Sequence, residues 1–60
     1  MKNNDKLDKA IAIFKEAMPD AKGRYKAYIS ETNSNEVEIF QAGFGYYCTV
    51  NIRSRKLKDI

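Results

Sequence analysis

Histidine and tryptophan are absent from this chain, cysteine and proline occur once each, and glycine three times. Each scarcity removes a class of function. A lone Cys48 allows no intramolecular disulfide, which excludes the small secreted scaffolds stapled by such bonds. Without histidine, a structural zinc site would need carboxylates in place of its usual nitrogen and sulfur ligands, so no metal is expected. The same absence removes every nucleophile–histidine pair and the side chain most used for proton transfer near neutral pH. No enzyme and no cofactor are expected. Long apolar runs are missing too, the longest being Ala10 to Phe14. A signal segment needs about 7–15 apolar residues and a spanning helix ~20. The expectation is a cytoplasmic chain that engages no membrane.

Sixty residues, 43% apolar and 32% charged, are the composition of one globular domain with no linker. A domain this small buries about 60% of the surface its unfolded chain exposes. Its core needs nearly every apolar side chain, which leaves none to line a deep cleft.

From Asp5 to Met18 the apolar residues Leu7, Ala10, Ile11, Phe14, Ala17 and Met18 fall on one stripe at helical period. Asn4 or Asp5 can cap the start, with residues 1–4 as a frayed lead. Asp5 and Asp8 lie where the helix dipole favours negative charge. Pro19 disfavours helical geometry at Met18 and stops the helix, and Asp20 to Gly23 turns the chain.

Beyond Gly23 the period becomes two. Arg24 to Thr32, Glu36 to Ala42 and Tyr46 to Ser54 alternate in polarity and are rich in Tyr, Ile, Val and Thr. Asn33 to Asn35 and Gly43 to Gly45 are hairpin loops. The expected fold is α+β: one N-terminal helix packed on a three-stranded antiparallel meander, αβββ, with residues 55–60 as a basic C-terminal extension.

Alternation sorts the sheet into two faces. Tyr25, Ala27, Ile29, Val37, Ile39, Tyr46, Cys48, Val50 and Ile52 form an aliphatic face for the helix to cover. The other carries Tyr28, Phe40 and Tyr47 on adjacent strands, flanked by Arg24, Lys26 and Arg53. A single helix covers one face, so this second face is left for solvent or a partner. Cross-strand aromatic pairs also simply stabilise thin sheets, but a contiguous exposed group marks an interaction surface more often than isolated rings do.

Charge is uneven. Residues 1–22 carry a net +1, residues 23–50 a net −1, and residues 51–60 a net +3 from Arg53, Arg55, Lys56 and Lys58 against Asp59. The basic end either keeps an edge strand solvated or binds an anion. Glu31, Glu36 and Glu38 bracket the first hairpin and read as a charged rim, because no acid–base partner opposes them.

These features point to a small protein-binding module that inhibits or regulates a larger macromolecule, or to a homodimer built through the same face. Tyr28, Phe40, Tyr47, Arg24, Lys26, Arg53, Arg55 and Lys56 are the expected contacts, an aromatic and arginine composition typical of interface hot spots. Free-standing chains of this length are often phage or bacterial-plasmid antagonists of host nucleic-acid enzymes, CRISPR effectors among them. The alternative is nucleic-acid binding, since aromatics on a sheet beside Arg and Lys can stack unpaired bases and neutralise phosphates. The order helix, strand, strand, strand resembles the first four elements of a double-stranded-RNA-binding domain. In that family a second helix with a basic start follows, and Arg55-Lys56-Leu57-Lys58 is similar to that start. The resemblance is of topology alone, and it implies phosphate contacts from the basic end.

Overall fold

The computed structural model describes residues 3–59. Helix α1 (Asn3–Ala17) is followed by β1 (Tyr25–Ile29), β2 (Glu36–Gln41), β3 (Gly45–Asn51) and a short β4 (Lys56–Lys58). The strands form one antiparallel sheet in the order β1-β2-β3-β4. The fold is the expected α+β arrangement with one strand more. No helix among the described residues is long and apolar enough to cross a membrane.

Helix α1 stops one residue before Met18, whose N–H still bonds to Phe14 C=O at 2.9 Å. Pro19 ends it as its chemistry requires. The start lies earlier than the capping residues suggested: Asn3 and Asn4 are helical, so Asp5 sits in the first turn, while Met1 and Lys2 fall outside the described residues. Asp5 still meets the positive end of the helix dipole there.

The core is Ala10, Ile13 and Phe14 from α1 against Val37, Ile39, Cys48 and Val50 from the two central strands. Leu7, Met18, Tyr25, Ala27, Ile29 and Leu57 close its margin. Ile13 replaces Ala17 in the buried stripe, since Ala17 is exposed. A core-facing stripe spans more than 100° of a helix, wide enough to take in Ile13 beside Phe14.

The first hairpin pairs Ile29 with Val37 and Tyr28 with Glu38, two residues away from the register that a three-residue loop at Asn33 to Asn35 would give, with Thr32 opposite Glu36, Ile29 opposite Ile39 and Tyr28 opposite Phe40. A shift of two leaves every side chain on its expected face. Its cause is a longer loop: β1 ends at Ile29, and residues 30–35 turn through an Asx arrangement in which Asn35 N–H bonds to Asn33 Oδ1 at 2.9 Å.

The second hairpin breaks parity. Phe40 pairs with Tyr46 but Ile39 pairs with Cys48, so Tyr47 is an extra residue, a β-bulge. Tyr47 and Cys48 consequently both face the helix. The Tyr47 ring packs edge-on to Phe14 at 5.6 Å and to Tyr25 at 5.6 Å, and Phe14 and Tyr25 complete the triangle at 4.9 Å. Such pairs are worth ~0.5–1.5 kcal/mol each beyond their buried area. In so thin a core that gain offsets an irregular ladder.

The expected C-terminal extension contributes β4. Asn51 Oδ1 accepts from Arg53 N–H at 2.9 Å and Ser54 N–H at 3.0 Å, and Arg55, at φ 61°, reverses the chain. Lys56, Leu57 and Lys58 then pair with Asn51, Val50 and Thr49. This run is therefore a strand, unlike the helix start that the double-stranded-RNA-binding resemblance implies.

Candidate functional site

Helix α1 covers one face of the sheet, and no element among the described residues covers the other. On that open face Tyr28 from β1, Phe40 from β2 and Tyr46 from β3 form a continuous row. Tyr28 and Phe40 stand edge-to-face with centroids 5.4 Å apart, and Phe40 and Tyr46 follow at 5.7 Å. Tyr28 is 52% exposed and Tyr46 46%. The aromatic row exists, with one member changed.

Tyr47, expected in this row, is turned into the core by the bulge, and Tyr46 takes its place. The sequence carries one trace of this. Tyr46, Tyr47 and Cys48 are three apolar residues in succession, which strict alternation cannot accommodate on one buried face. The Tyr46 hydroxyl is held over β3 by Thr49 Oγ1 and donates to Asp59 Oδ2 at 2.9 Å. Partial burial pushes the phenol above its ordinary pKa, and the Asp59 carboxylate adds to the rise. Tyr46 is a neutral, oriented ring over the whole physiological range.

Phe44 was not among the expected contacts, yet it is the most exposed large apolar side chain described, at 83%. It stands at the tip of the β2–β3 turn, where Gly43 (φ 86°) and Gly45 (φ 101°) supply the left-handed backbone. A shallow depression of about 570 Å³ runs beneath it, lined by Lys26, Tyr28, Phe40, Gln41 and Phe44.

The basic residues do not gather as one patch. Lys26 lies directly opposite Phe40 and belongs to the aromatic end of the face. Arg24 is exposed at the entrance to β1, where its C=O accepts from Ala42 N–H at 2.9 Å. Arg53 and Arg55 occupy the β3–β4 turn, at the end of the sheet away from Phe44. Lys56 is on β4, three strand spacings or about 14 Å from β1.

Two carboxylates stand between these groups. Glu36 and Glu38 project from β2 on the same face as Phe40, and Lys58 Nζ lies 3.2 Å from Glu36 Oε2. The Glu36 carboxylate beside it raises the Lys58 pKa. Lys58 is thus engaged within the protein, and the middle of the face is acidic. Cys48 lies on the opposite, buried face.

Comparison of this chain with protein-family models, curated proteins and solved structures gives no match.

Proposed function

We propose that the protein is a small binding module whose open sheet face docks onto a folded protein and regulates it. One observation carries this reading: three aromatic rings in a contacting row, Tyr28 on Phe40 and Phe40 on Tyr46, two of them about half exposed, on a face that no element among the described residues covers. Rigid aromatic rings bring large contact area at low entropic cost, and a contiguous exposed set favours an interface. Phe44 at the turn tip and Lys26 at the margin extend the surface with an apolar anchor and a charged rim.

The acidic middle of the face favours protein over nucleic acid. A phosphate chain laid along the aromatic row would pass Glu38, which sits directly opposite Tyr28, while Glu36 further along β2 is already paired with Lys58. Binding driven by phosphate neutralisation needs free cations along the track. Here Arg53 and Arg55 are at the far end of the sheet.

Affinity capture from a lysate of the source cells, half of it nuclease-treated, tests the reading. Capture that survives nuclease and is weakened ~30-fold by Tyr28→Ala or Phe40→Ala is expected, which is about 2 kcal/mol for an interface anchor. Capture that vanishes with nuclease, or that Arg53→Glu with Arg55→Glu abolishes while the aromatic variants do not, overturns it.

A further inference from the structure

The two edges of the sheet are built differently. β4 has three residues, is bounded by left-handed Arg55 (φ 61°) and Asp59 (φ 67°), and carries Lys56 and Lys58. Shortness, irregular ends and lysines are the devices that keep an edge strand from pairing with another chain. β1 has five residues, Tyr25 to Ile29, with no proline, no bulge and one lysine. Its outer side is free of backbone partners among the described residues.

The ladder shows which groups that side presents. Ser30 N–H bonds to Glu36 C=O and Ala42 N–H to Arg24 C=O, both at 2.9 Å, so the even-numbered residues of β1 face β2. Tyr25, Ala27 and Ile29 therefore direct their N–H and C=O groups outward. We propose that β1 pairs with β1 of a second copy, antiparallel and centred on Ala27, to join two sheets into one of eight strands.

That register is selected by hydrogen bonding and by charge. Ala27 faces Ala27 of the partner, and Tyr25 faces Ile29 in both directions, so all three outward residues of each strand find an outward partner. Lys26 then faces the partner's Tyr28, in the non-hydrogen-bonded positions where side chains approach most closely. The next residue along that row is the partner's Glu38, because Tyr28 pairs with Glu38 within each protomer. Each Lys26 ammonium thus meets a tyrosine ring directly and, one strand on, a carboxylate, and this cation–π contact and ion pairing offset the diagonal approach of the two Lys26 side chains. Sliding by two residues one way sets Lys26 against Lys26 and leaves fewer pairs; sliding the other way unpairs Tyr25.

Symmetry keeps the layers in order. A two-fold axis normal to the sheet places both α1 helices on one side and both aromatic rows on the other. The groove between α1 and β1, about 450 Å³ and lined by Ile11, Phe14, Lys15 and Tyr25 among others, lies beside this strand. The dimer needs no external partner, so it stands or falls apart from the docking function of the face.

Sedimentation equilibrium of the purified chain from micromolar to millimolar concentration tests the proposal. A mass rising from 6.9 kDa toward twice that value is expected. Lys26→Glu places a carboxylate beside the partner's Glu38 and weakens association about tenfold or more, and adding Glu38→Lys restores it. Ala27→Pro removes an outward N–H without touching the β1–β2 ladder and abolishes the dimer. Phe40→Ala, which impairs the docking face, leaves the mass unchanged. A monomer at millimolar concentration overturns the proposal, as does a dimer indifferent to Lys26→Glu in protein whose circular dichroism is native.

Discussion

Burial pushes the Cys48 thiol up to about 11, and the Asp59 carboxylate adds to the rise. The fold therefore favours the neutral thiol. Its contribution to stability is whole below the unfolded value near 9 and is lost as pH rises through about 11. The urea midpoint of the native protein should fall across that window, and fall less in Cys48→Ala. Iodoacetamide at pH 8 should leave Cys48 unmodified until denaturant unfolds the chain, since both the thiolate and access to it are missing. Tyr46 and Tyr47 cannot exchange places freely. One has hydroxyl partners on the open face, Thr49 and Asp59, and the other has ring partners in the core, Phe14 and Tyr25.

Among the elements, β4 depends most on a single side chain. Three residues of ladder do not hold a strand in water by themselves. The Asn51 amide organises the turn through its bonds to Arg53 and Ser54, and Leu57 reaches the margin of the core. Asn51→Ala should cost about 1–2 kcal/mol and raise amide exchange in β4 far more than in β2, as hydrogen-exchange mass spectrometry would show. Element identity was legible from the chain: the helix by its period and Pro19, the three long strands by alternation. β4 was not, because three residues hold less than two full alternations and its Lys-Leu-Lys pattern is equally that of a solvated tail.

Across the molecule, one helix and one thin sheet share a core of seven buried apolar side chains among the described residues, with Phe14 the largest. Phe14 touches both Tyr25 and Tyr47, so its loss empties the aromatic triangle. Phe14→Ala should cost about 3–5 kcal/mol, most of the stability a domain this small has, and leave an unfolded chain by circular dichroism at 37 °C. Phe44→Ala should change stability by less than ~0.5 kcal/mol, because that ring is in water. The contrast separates the aromatics that hold the fold from those the fold displays.

Local chemistry alone determined the order of elements and the division of β1 and β2 into a covered and an open face, because side-chain periodicity is written into the backbone geometry of helix and strand. It placed Tyr28, Phe40 and Lys26 on the open face, and these three are together there. Tertiary packing decided the rest. Which of two adjacent tyrosines points inward was settled by the space beside Phe14 and Tyr25, since a bulge reverses parity for the sake of contacts distant in sequence. The separation of Arg53, Arg55 and Lys56 from the aromatic row was settled likewise, by a turn at Asn51 that carries the basic end along the far edge of the sheet.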